Sequence, residues 1–346
     1  MTNSDTRRRG DDTARQVALV RQGGGMHGAF TWSVLDQLFE GVRIDFEGGS
    51  VTSAGAMNGA VLAYGLLKDG DDGARQALHD FWHAVAESAE RYNPLRWMPW
   101  LKGKHGFGLD HSPLYVFADM VLRIFSPYQF DPHNLNPLRE VLERQVDFTA
   151  QAMSNPAVPV RDQRRDGDDV LHGRRYLRGR RAGIHMPADT LSGGHDRRST
   201  LLGRSLHGQP GHLSADLSLQ TRDVVIVHIT PLVRRGVPST AAEILNRIGE
   251  TSFNSSLMRE MRAIPFVTDL IWQGQIDRDE MKEMLIHSIR SDEAMCVLSM
   301  SSKYNVDWGF LCELRDNGQR TVEEWLMRHC RYIGRQSSID IRKEFL

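Results

Sequence analysis

The sequence predicts an α/β fold with a mainly parallel central sheet, and three stretches carry that prediction. Residues 16–39 read as strand, glycine turn and helix. Residues 44–67 read as strand, serine and helix. Asp223–Leu232, DVVIVHITPL, is a continuous apolar run of the kind a parallel sheet buries on both faces. At 346 residues and 40% hydrophobic content the chain is long enough to bury one large core. A formal net charge of −1 supplies no global attraction to nucleic acid.

The first strand, Gln16 to Val20, stops at Gly23, Gly24, Gly25 and Gly28, and Phe30, Val34, Leu35, Leu38 and Phe39 then recur at helical spacing. The second strand runs from about Ile44 to Thr52, and Ser53 falls where it gives way to the helix Ala54–Leu67. A serine there stands on a sharp turn, its hydroxyl exposed and facing the positive end of a helix dipole. Ala54, Gly55, Ala56, Gly59 and Ala60 let that helix approach the sheet closely, and Gly55 leaves room for a substrate carbonyl. The glycine turn offers unencumbered backbone N–H groups to a developing oxyanion. A glycine turn alone also suits phosphate, but no Gly-Lys-Ser/Thr follows, and no acidic residue ends the second strand as a dinucleotide site requires.

QGGGMHGAF followed by VTSAGAMNGA resembles the patatin-like phospholipases. The resemblance implies a three-layer α/β/α sandwich and a serine–aspartate dyad cleaving phospholipid or other acyl esters in lipid degradation. It makes Ser53 the nucleophile and Gly23, Gly24, Gly25 and Gly28 the oxyanion loop. Val51 and Gly55 flank the serine in the elbow, with Val51 standing where the family has the first glycine of G-x-S-x-G. The implied partner is a lipid or acyl-ester substrate, and no metal or organic cofactor is implied. The family's base is the aspartate of a D-G-A/G motif, which does not occur between residues 148 and 221, so the base is unassigned.

Further along, Ala77, Leu78, Phe81, Trp82 and Val85 mark a core-facing helix over Asp71–Glu90. Tyr92–Phe107 combines Trp97 and Trp100 with Arg91, Arg96, Lys102 and Lys104 in and beside it. That suits either a peripheral membrane contact or a loop pinned to the core by its tryptophans. Met120–Phe125 and Leu138–Phe148 read as helical segments around a proline-rich turn. Between Arg161 and His212 there are eleven arginines, nine glycines and five histidines, with no Lys, Glu, Phe or Trp, and no period survives. A compensated frameshift over about 152–218 accounts for this. Read one nucleotide later, with suitable synonymous codons, Gly203–Gly211 yields Asp-Gly-Ala-Tyr-Met-Gly-Asn-Pro, the missing motif with its continuation.

Composition normalises at Thr221. His228, inside the Asp223–Leu232 run, invites a Ser–Asp–His triad, but a mid-strand place among Val and Ile favours a structural histidine. Thr240 and Glu243 form a capping box for a helix bearing Ile244, Leu245 and Ile248. Met258–Trp272 and Met281–Ile289 are expected to be helical, Cys296–Met300 a last short strand, and Thr321 with Glu324 the cap of a helix bearing Trp325. The expected layout is a disordered tail (1–14), a hydrolase domain (15–300) and a helical C-terminal extension (301–346).

The polar N-terminus lacks a signal's apolar centre, and no run of about eighteen apolar residues spans a membrane, so the expectation is a cytoplasmic protein with peripheral membrane contact. Cys296, Cys312 and Cys330 are too few and unpatterned for disulfides or zinc, which leaves buried structural thiols. Two other readings compete with the hydrolase: a catalytically dead lipid- or anion-binding relative that lacks the base, and a nucleic-acid binder resting on 161–212 alone.

Overall fold

The computed structural model describes residues 15–41, 44–51, 54–92, 137–148, 220–278 and 280–346. The tail 1–14, the tryptophan-rich residues 93–107, the segment 120–125 and the arginine-rich segment 152–218 lie outside the described residues.

Among the described residues, four strands form one parallel sheet in the order β2-β1-β3-β4: β1 (Arg15–Arg21), β2 (Ile44–Val51), β3 (Asp223–Val227) and β4 (Leu285–Ile289). Every residue of β3 and β4 is buried, as expected of strands covered on both faces. Side chains alternate between two cores. Val17, Leu19, Val225 and Val227 face a large cluster with α1 (Gly28–Gly41), α2 (Ala54–Tyr92), α3 (Pro137–Gln145) and α6 (Trp308–His329). Ala18, Val20, Val224 and Ile226 face a smaller one with α4 (Ala241–Trp272) and α7 (Ile341–Phe345). The result is helices, sheet, helices: the α/β/α arrangement that the sequence resemblance implies. Each fully buried Val, Leu or Ile stabilises it by roughly 1.5–3 kcal/mol.

The helices expected over 54–67 and 71–90 are there, joined as one element that breaks at Asp69 (φ −152°) and Gly70 (φ +61°). The positive φ suits a residue without Cβ, and the break lets Gly65 pack against Gly73 and Ala74. The Thr240–Glu243 capping box opens α4 as read. Three expectations are corrected. Residues 285–289 form β4 rather than a helix, because a five-residue run buried on both faces against β3 has too few positions to show a helical period. Cys296 ends a short helix, α5 (Asp292–Cys296), and the chain passes into a 3-10 turn at Ser301–Tyr304, so no strand forms over 296–300. Thr321 lies inside α6 and its hydroxyl donates to the Asn317 carbonyl at 2.7 Å, while the true cap is Asp307, accepting from the Phe310 N–H at 3.1 Å. The three cysteines are free and half-buried, and burial raises the pKa of Cys296 and Cys312.

Candidate active site

In this sheet the chain leaves β1 toward β2 on one side, while β3 and β4 lie on the other. The crevice at the carboxyl ends of β1 and β3 is where open α/β sheets bind ligands. The glycine turn occupies it. Gly23 and Gly24 are buried, Gly25–His27 is a 3-10 turn, and α1 starts at Gly28. Gly25 has φ +60°, and a Cβ there would stand 2.5 Å from the Lys303 carbonyl oxygen, so only glycine fits. The Gly28 N–H is spent within the turn on the Gly25 and Met26 carbonyls.

The turn packs directly on the start of α2. A Cβ on Gly28 would come within 2.8 Å of the Ala54 Cβ, and one on Gly55 within 2.8 Å of the Arg21 carbonyl oxygen. Val51 ends β2, paired in register with Arg21. Ser53 lies outside the described residues, one residue before Ala54 in the chain. The glycine loop and the elbow's neighbours Val51, Ala54 and Gly55 thus come together around the end of β1.

Two buried amides clamp the turn. At its entry, Gln22 Oε1 accepts from the Ile229 N–H at 3.0 Å and the Thr230 N–H at 3.1 Å, and Gln22 Nε2 donates to Asn254 Oδ1 at 3.1 Å. Asn254 Nδ2 in turn donates to the Pro231 carbonyl at 3.0 Å. At its exit, Asn58 Nδ2 donates to the Gly28 carbonyl at 2.9 Å, and Asn58 Oδ1 accepts from Trp82 Nε1 at 2.9 Å. His27 Nε2 and Ser302 Oγ are 2.7 Å apart below the turn. Sequence reasoning passed over Gln22, Asn58 and Asn254; the available signal was an amide beside each glycine motif, in QGGG and in AMNGA.

His228 stands one residue past β3 rather than within it. It is buried, its ring nitrogens have no partner among the described residues, and burial followed by the Arg290 charge lowers its pKa to about 3. His27 is likewise lowered to about 3, by burial first and by Lys303 second. Both rings are therefore neutral in the folded protein yet protonate near 6.5 once unfolded. The unfolded state binds more protons below that pH, so stability is complete above about 6.5 and declines as pH falls toward 3. Each histidine contributes up to about 1.4 kcal/mol per pH unit to the loss. Urea unfolding at pH 7.5, 5.5 and 4.5 should show the midpoint falling, and His228→Leu should remove about half of the histidine share of that slope.

A buried His–Asp pair does exist: His287 Nε2 meets Asp223 Oδ1 at 2.8 Å, and the same oxygen accepts from the Gly334 N–H at 2.7 Å. Asp223 opens β3 at the amino end, about 13 Å of strand below the level of Arg21 at roughly 3.3 Å per residue, so it serves packing rather than the crevice. One tripeptide, Asp72-Gly73-Ala74, spells D-G-A. It lies within α2 just after the Gly70 break, with Asp72 exposed, in helix rather than in a turn after a strand. Among the described residues no cluster of His, Cys, Asp and Glu has metal-binding geometry, and no helix is long and apolar enough to cross a membrane.

Residues 19–182 match a family model described as patatin-like phospholipase, which spans the glycine turn and the serine elbow and ends before the expected D-G-A/G motif. No curated protein and no solved structure gives a significant match.

Proposed function

Starting from a chain whose residues 19–182 match the patatin-like phospholipases, a family of lipid acyl hydrolases, we propose that this protein is a serine acyl hydrolase acting on a lipid ester. Ser53 attacks the carbonyl, the amides of Gly23, Gly24 and Gly25 hold the oxyanion, the ester's C–O bond breaks as its alcohol leaves with the proton taken from the serine, and water then releases the acyl group from the serine. The observation that supports this most is the contact of Gly28 with Ala54 and of Gly55 with the end of β1, which sets an amide-rich turn against the residues that follow the serine. In this reading the enzyme is cytoplasmic, meets its substrate at the membrane periphery, and uses no metal.

The serine needs a base to take its proton. That role belongs to the aspartate that the shifted frame over about 152–218 restores. A second reading, a lipid- or anion-binding relative without catalysis, rests on the absence of D-G-A/G from residues 148–221. Resequencing codons 148–222 separates the two at the level of the gene. At the level of the protein, a fluorophosphonate probe is expected to label the chain stoichiometrically, with the adduct on Ser53, and Ser53→Ala is expected to abolish labelling. An unlabelled wild-type chain, or an adduct on another serine, would reject the hydrolase.

A further inference from the structure

Helix α4 is buried along one face only. Glu250, Asn254, Leu257 and Met261 recur at helical spacing and turn inward. On the opposite face of its first two turns Ile244, Leu245 and Ile248 are 44%, 42% and 56% exposed, and the loop leading into it adds Val233 at 58% and Val237 at 91%. The charges around this aliphatic group are sorted. The carboxylate of Glu250 is turned inward and held by Arg234 at 2.6 Å and by Arg247 at 3.6 Å. Glu243 is spent on the backbone N–H groups of Ser239 and Thr240 in the capping box. Arg235 and, farther along the same face, Arg259 are exposed, and Arg247 is partly so. The surface is therefore aliphatic with a basic surplus.

That surface sits at the end of the sheet that carries the glycine turn. Its loop leaves β3 through Ile229 and Thr230, the two residues that Gln22 holds, and Asn254 of α4 closes the same network. Protein interfaces take their energy from aromatic and arginine anchors in fitted pockets. Five aliphatic side chains with outward arginines, and the exposed Phe266 farther along the same face of α4, match instead the acyl–headgroup boundary of a bilayer carrying negative charge.

We infer that the 233–248 segment is a docking surface for an anionic lipid bilayer. The inference stands apart from the acyl hydrolase reading, because docking needs no bond cleavage.

The test is flotation of the full chain with vesicles of ether-linked lipids, which contain no ester to cut. One set is phosphatidylcholine alone; the other includes phosphatidylglycerol. The chain is expected to float with the anionic vesicles, about tenfold less with the neutral ones, and less at high salt. Ile248→Asp and Val237→Asp should each weaken partitioning at least tenfold, and Arg235→Glu about tenfold on anionic vesicles. Exposed as they are, these positions should leave the melting temperature nearly unchanged. A wild-type chain that stays with the pellet, or variants that float as well as it does, overturns the inference. So does self-association that Ile248→Asp abolishes in a chain that binds no vesicles, which would give this face to a second copy. Flotation without fluorophosphonate labelling would count against the hydrolase and leave the docking surface standing; labelling without flotation would do the reverse.

Discussion

Arg21→Leu is expected to stabilise the protein by about 3 kcal/mol, read as a higher urea midpoint with an unchanged slope. Arg21 ends β1 on the side of the sheet shared with Val17 and Leu19, is 1% exposed, and has no partner for Nε or Nη1 among the described residues. Burial alone lowers its pKa to about 10, a measure of how strongly the surroundings oppose the charge. A guanidinium in such a place costs several kcal/mol, whereas a leucine of similar reach would gain from apolar contact. The sign is unusual, since most core substitutions destabilise. A lower midpoint in the variant would show that a carboxylate pairs with Arg21 after all, and removing that carboxylate would then be as costly as removing the arginine.

Gln22→Ala is expected to act in the opposite direction and on two readouts together. It strips hydrogen bonds from the Ile229 N–H, the Thr230 N–H and Asn254 Oδ1, all of them buried. At about 1–3 kcal/mol for each group left unsatisfied, the loss is on the order of 3–5 kcal/mol once some relaxation is allowed. The glycine turn begins at the next residue, so fluorophosphonate labelling should slow by at least tenfold even well below the melting temperature. Asn254→Ala should reproduce part of the stability loss and little of the slowing, because Gln22 keeps its two backbone partners. Equal labelling rates for Gln22→Ala and wild type would mean that the turn holds its shape without the amide.

The part of the fold that could be read from the sequence is the part where one period dominates over many residues. The glycine turn after β1, the strand β2 with the helix that follows it, and the DVVIV strand were all legible, because apolar runs ended at glycines or small residues. The β4 strand was not. LIHSI is too short to show alternation, and its central His287 looks polar until Asp223 is seen beside it. The capping signals split the same way. Thr240 and Glu243 stand at a true helix start, while Thr321 and Glu324 copy the pattern inside α6, where the Thr321 hydroxyl turns back on the preceding carbonyl. At the site, the glycines announced themselves by composition. Gln22, Asn58 and Asn254 did not, because an amide's importance depends on which backbone groups the fold carries to it, and those lie on other elements.

The place of β1 in the middle of the sheet has a consequence for how the chain is made. Its neighbour on one side, β2, is synthesised soon after it, but its other neighbour arrives only with β3: Thr221, just ahead of that strand, bonds the Gln16 carbonyl across 205 positions of chain. Until the ribosome has passed that point, β1 has a free hydrogen-bonding edge built from Val17 to Val20. Parallel pairing at such separation is slow because a long loop must close before any contact rewards it. The nascent chain therefore carries an adhesive strand for tens of seconds, at about 5–20 residues per second of synthesis and with slow closure to follow. Yield on overexpression should consequently depend on chaperone supply more than on the stability of the finished fold.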